Sequence, residues 1–141
     1  MALEFSPEDN TTRSLLGKAL LRQKKLAEAE KEFRLILQNE PKNFDALDTL
    51  GLVLYKQKRY SEALQHLQAA AKIRPDDVMV HFHMGTTLSK HGRTDEARES
   101  LVRGLNLLNK LPPSATKNHQ LSEYKTALAA LPNKAGTTPS R

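Results

Sequence analysis

Residues 50–77 read LGLVLYKQKRYSEALQHLQAAAKIRPDD. Gly51, Ala63 and Pro75 punctuate this stretch at even intervals, and each recurs elsewhere. Gly17, Gly51 and Gly85 are 34 residues apart, as are Ala29, Ala63 and Ala97. The columns Leu16–Leu50–Met84, Leu20–Leu54–Leu88 and Phe33–Leu67–Leu101 keep the same interval. Pro41 is matched by Pro75, and Asn109 takes the third place. A fixed period of this length marks stacked supersecondary units, each too small to bury its apolar face alone.

Each unit holds two helical patterns. Leu47, Leu50 and Leu54 form one helical stripe, and Tyr60, Ala63, Leu67 and Ala70 form a second. The polar segment KQKR at 56–59 joins them as a short turn, as RQKK does at 22–25. Pro75 ends the second helix, because proline lacks the backbone donor and pushes its predecessor out of helical geometry. The unit is therefore an antiparallel helical hairpin. Glycine on one helix and alanine on the other are expected to let the two backbones approach closely.

At the start, SPED at 6–9 reads as a helix entry, with Ser6 as N-cap, Pro7 in the first turn and Glu8 and Asp9 against the positive helix end. The second helix of the third unit is expected to run to about Lys110, where Pro112 and Pro113 stop it. Beyond them Ser114 or Thr116 can cap a last helix with Leu121, Tyr124, Leu128 and Leu131 on one face. Such a helix would cover the open apolar side of the last unit and turn a polar face to water. The tail PNKAGTTPSR has no periodicity and is expected to be disordered.

Composition narrows the function. The chain has no cysteine, which excludes disulfides, thiolate metal sites and a cysteine nucleophile and suits a reducing compartment such as the cytoplasm. No apolar run is long enough to span a membrane, and the N-terminus does not read as a secretory signal. Phosphate loops, dinucleotide fingerprints and nucleophile elbows are missing, so no enzyme is expected. His81 and His83 lie two apart on a helix and point about 200° away from each other, so they cannot share an ion. No metal or cofactor is expected. The net charge of +6 admits an acidic partner. Its bases are spread along the chain beside acids, however, and the aromatic residues that interleave nucleic-acid surfaces are few.

The period, the small pair, the large apolar residue and the closing proline together resemble the tetratricopeptide repeat family. The resemblance covers residues 10–43, 44–77 and 78–111, preceded by an extension at 1–9 and followed by a capping helix at 112–131 and a tail at 132–141. Two features depart from the family pattern: Arg13, Leu47 and His81 stand where a tryptophan is usual, and the third unit lacks its proline. The resemblance implies an all-α fold, a right-handed solenoid of seven helices, that binds a protein segment along a concave face lined by the first helix of each hairpin.

Mapped by phase, that face offers Thr11, Ser14, Leu15, Lys18 and Arg22 in the first unit. The second offers Asp45, Asp48, Thr49, Leu52, Tyr55 and Lys56, and the third Met79, Phe82, His83, Thr86 and Lys90. Its start is basic through Lys18 and Arg22, and its middle acidic through Asp45 and Asp48. Tyr55 is expected to stand exposed, because its hydroxyl seeks water or a partner. Phe82 and Leu52 fit partner binding and packing equally. One subclass of the family grips the C-terminal carboxylate of heat-shock chaperones. Of its positions, held here by Ser14, Lys18, Thr49, Met79 and His83, only Lys18 fits, so that activity is not expected. The expected function is a non-catalytic protein-interaction module, an adaptor or scaffold. The alternatives are a small bacterial secretion chaperone that holds an unfolded translocator segment and self-associates, and a basic nucleic-acid-binding repeat.

Overall fold

Three side-chain caps set the register of the chain. Asp9 accepts from the Thr11 amide, Asn43 from the Ala46 amide and Asp77 from the Val80 amide. These residues are themselves one 34-residue period apart. Each opens a first helix of a hairpin: α1 (Asn10–Arg22), α3 (Phe44–Lys56) and α5 (Val78–Lys90). The return helices are α2 (Leu26–Asn39), α4 (Tyr60–Ile73) and α6 (Thr94–Asn109), and α7 (Ala115–Ala129) follows. This computed structural model describes residues 9–132, and among them there is no strand. The expected cap at Ser6 and the expected tail at 132–141, apart from Pro132, lie outside the described residues. Within them α1 is capped by Asp9, whose carboxylate accepts from the Thr11 amide at 3.1 Å.

The turns inside the hairpins share one construction. Lys24, Lys58 and Gly92 have positive φ (63°, 64° and 83°). The next amides, of Lys25, Arg59 and Arg93, reach back to the carbonyls of Leu20, Leu54 and Leu88 at 2.9 Å each. This is the left-handed helix ending that satisfies carbonyls otherwise orphaned at a helix C-terminus. The polar segments 22–25 and 56–59 are thus spent on turn geometry.

The chain divides into two compact units, one ending at Ile73 and one beginning at Arg74. In the first, α2 lies between α1 and α3. Ala29, Phe33 and Ile36 of α2 join Ala46, Leu50 and Val53 of α3 in one buried cluster with Leu54 and Ala63. A Cβ placed on Gly17 would lie 2.7 Å from the Phe33 ring, and one on Gly51 2.5 Å from Leu67 Cγ. The small residue therefore makes room for the large apolar column on the return helix. Ala29, Ala63 and Ala97 are fully buried, and a Cβ on Gly85 would also lie 3.3 Å from the Ala97 carbonyl oxygen, so the alanine column comes close to the glycine as expected.

A closed ring of ion pairs lies on the first unit. Glu30 accepts from Arg34 Nε and Arg59 Nη1 at 2.8 Å each, and Glu62 accepts from Arg59 Nε at 2.8 Å and Arg34 Nη2 at 3.3 Å. Gln57 adds a fifth bond to Glu30 at 3.2 Å. Burial pushes the Glu30 carboxyl up, but the bonds from Arg34, Arg59 and Gln57 outweigh it and hold the group below its usual value.

In the second unit, α5 packs on α6 and α6 on α7. Gly85 makes room for Leu101 as Gly51 does for Leu67. His81 stands where the family has tryptophan and is buried; its Nε2 donates to the Pro75 carbonyl at 2.7 Å. A carbonyl can only accept, so the ring proton sits on Nε2. Ser114 caps α7 through the Lys117 amide at 3.0 Å. Tyr124 of α7 is fully buried against Gly104 of α6, and its hydroxyl donates to the Val78 carbonyl at the start of α5. Burial, with Asp77 adding to it, raises the Tyr124 hydroxyl well above the usual tyrosine range.

Candidate functional site

In the first unit the structure brings three expected site residues together. Ser14 Oγ donates to Asp45 Oδ2 at 2.7 Å, and Lys18 Nζ pairs with Asp45 Oδ1 at 3.0 Å. Of the expected gradient from a basic start to an acidic middle, Lys18 and Asp45 are paired by this contact. Lys18 and Asp45 sit on neighbouring first helices and neutralise each other. An ion pair across α1 and α3 needs both backbones in place, so no signal in either helix alone announces it.

Further along the same face the side chains differ in what they offer. Leu52 is half-buried on α3. Thr49 is only 9% exposed and presents little to a partner. Tyr55 is not the exposed ring that was expected. It is half-buried, packs against the apolar cluster and tilts onto Tyr60 with ring centres 5.8 Å apart. Burial, with the nearby Tyr60 hydroxyl, raises its pKa. Arg22 and Lys56 are exposed and lie in the last turns of α1 and α3, where a cation complements the negative end of the helix dipole. Asp48 is half-buried on α3.

In the second unit Met79, Phe82, His83 and Thr86 are half-buried on α5, and Lys90 is exposed in its last turn. The Phe82 ring meets Tyr124 edge to face at 5.1 Å and also approaches His83 at 6.3 Å. Thr86 Oγ1 donates to the His83 carbonyl at 3.2 Å. Met79 shares a shallow depression with Leu107, Leu111 and Lys110. Phe82 is thus tied to the packing of α7, and Met79 is the freer apolar contact.

Two apolar residues on α1 are more exposed than any of these. Leu15 is 65% and Leu16 47% exposed. Leu16 belongs to the same column as the fully buried Leu50, so its period alone suggests a core residue. Among the described residues no three His, Cys, Asp or Glu side chains converge as metal ligands do. No helix among them is long and apolar enough to cross a membrane.

Family models described as tetratricopeptide repeat match the chain over residues 2–44 and 14–78, and again over 54–131. No curated protein sequence matches it. Several solved structures share the fold. PcrH of Pseudomonas aeruginosa, in complex with the chaperone-binding region of PopD, has a TM-score of 0.79 at 18% identity, over 92% of this chain and 96% of that one. The type III secretion translocator chaperone SycD of Yersinia enterocolitica has a TM-score of 0.80 at 18% identity, over 90% and 86%. A MamA mutant has a TM-score of 0.66 at 24% identity, over 72% and 74%.

Proposed function

This chain belongs to the tetratricopeptide repeat family, and we propose that it is a non-catalytic module that binds a segment of another protein. The contact surfaces are the first-helix faces of the hairpins, α1 and α3 in one unit and α5 in the other. The carrying observation is that Leu52 on α3 and Met79 on α5 are only half-buried, while Ser14, Lys18 and Asp45 on α1 and α3 are bonded to one another. Such a face offers apolar contact without reactive groups, and it suits an extended or helical segment with spaced aliphatic side chains. A reducing compartment such as the cytoplasm suits a chain without cysteine.

A narrower reading has an observation of its own. The chain aligns with 96% of PcrH, which is bound to the chaperone-binding region of PopD, and with 86% of the secretion translocator chaperone SycD, so the likeness spans nearly the whole of both. On that reading the bound segment is an unfolded stretch of a client, held until export.

The test is an array of extended peptides with spaced Leu, Val and Ile, probed with the full chain and with Leu52→Lys and Met79→Lys. The expected result is binding to a subset, weakened on the order of tenfold in each variant with helicity unchanged. Peptides with a free carboxyl terminus should bind no better than amidated ones, since Lys18 is engaged by Asp45. Unchanged affinity in both variants would overturn the reading.

A further inference from the structure

Two lysines of the first unit hold backbone that glycine would hold with less strain. Lys24 and Lys58 have φ of 63° and 64°, left-handed values that crowd a side chain, whereas the same turn of the second unit has Gly92. Strain of this kind collects where the side chain has a task. The neighbouring charges point the same way. Turn geometry uses the backbone of 22–25 and 56–59 and leaves the charged ends of the side chains free. Arg22, Lys24 and Lys25 on one turn and Lys56 and Lys58 on the next are exposed, and among the described residues no hydrogen bond or ion pair engages their side chains. Of the acids next in sequence, Glu62 is held by Arg59 and Arg34, and Glu28 alone is exposed. The bonds from Ser14 and Lys18 to Asp45 hold α1 beside α3, so both turns lie at one edge of the first unit. In the second unit the equivalent turn has no side chain at Gly92, and its Arg93 is bonded twice to Glu96, at 2.6 and 2.8 Å. The surplus of free cations is thus a property of the first unit, not of the turn type.

We infer that this edge of the first unit docks an extended acidic segment of a partner protein. Alternate residues of an extended chain face the same way, so acids at every second position present one charged face to both turns. Complementary charge of this kind steers the approach and fixes the register. Carboxylates suit the edge better than a polynucleotide or a bilayer does. Tyr55 and Tyr60 are half-buried and tilt onto each other, so their rings are not offered to a stacking base. Leu21 and Leu26 pack inward on the apolar cluster and leave no wedge for a membrane. Arg22 and Lys56 also end the first-helix faces proposed above, but Lys24, Lys25 and Lys58 lie beyond those helices, and the edge needs nothing from the aliphatic contacts there.

The probe is a fluorescently labelled, acetylated and amidated peptide of alternating Glu and Ser, titrated with the full chain at low salt, where surface charges are least screened. Saturable binding is expected, and the same peptide with Gln in place of Glu should not bind. Lys24→Gly combined with Lys58→Gly should weaken binding on the order of tenfold. The same pair should raise the urea midpoint, because the strain is relieved, so the loss cannot come from unfolding. Lys42→Ala combined with Lys72→Ala removes as much charge from exposed positions elsewhere in the first unit and should change affinity less than about twofold. The glycine pair should leave the binding of aliphatic peptides unchanged, so this edge and the first-helix faces fail separately. Absence of saturable binding, equal binding of the Glu and Gln peptides, or an equal loss in both double variants overturns the inference. Capture of oligonucleotides or of anionic lipid vesicles that is tighter than the peptide's, and lost in the glycine pair, assigns the edge to phosphate and overturns it as well.

Discussion

Lys24 and Lys58 hold left-handed backbone at the register position where the third hairpin has Gly92. A side chain there crowds the following carbonyl, at a cost of about 1–2 kcal/mol, while glycine adopts the conformation freely but loses more entropy on folding. The balance favours glycine. Lys58→Gly should stabilise the protein by about 0.5–1 kcal/mol, and Gly92→Lys should destabilise it by a similar amount, both read from urea unfolding midpoints at constant slope. The position escapes a sequence reading because the column mixes lysine with glycine, and lysine carries no turn signal.

Single helices gain or lose meaning through their neighbours. Phe82 fits a partner contact and packing equally when α5 is read alone, and α7 lays Tyr124 against its edge. Phe82→Ala should therefore cost about 2 kcal/mol of stability in chemical denaturation, whatever it does to partner binding. The ion ring between α2 and α4 has a pH signature. Glu30 has its folded-state pKa held below the usual 4.5. Its contribution is then fully present above the unfolded-state value and is lost as pH falls through the folded-state value. Melting temperatures measured from pH 7 down to about 2.5 should fall less steeply on the acid side for Glu30→Gln than for wild type. An equal slope for the two proteins would mean that the ring adds nothing to linkage.

At the scale of the whole molecule, the net charge of +6 is spread along the chain and part of the basic charge is held in ion pairs. Arg13 pairs with Glu32, Lys18 with Asp45, Arg34 and Arg59 with Glu30 and Glu62, and Arg93 with Glu96. Binding to phosphate releases counterions only from cations that are free to meet it. Random single-stranded oligonucleotides should therefore produce no mobility shift at physiological salt. A shift with a steep salt dependence would restore the nucleic-acid alternative.

The sequence by itself determined the period, the hairpins, the site of each interhelical turn and the use of glycine at the seams. Those features depend on residues within one 34-residue unit, and three copies in phase state them redundantly. Tertiary structure decided which first-helix residues face outward. Leu16 and Leu50 share a column, yet one is 47% exposed and the other fully buried, because Leu50 packs with α2 in one cluster and no described helix stands beside α1 in that position. The same holds for Lys18 and Asp45, whose pairing neither helix announces alone. Burial and ion pairing are properties of neighbours, and a repeat carries its own pattern but not the identity of what lies next to it.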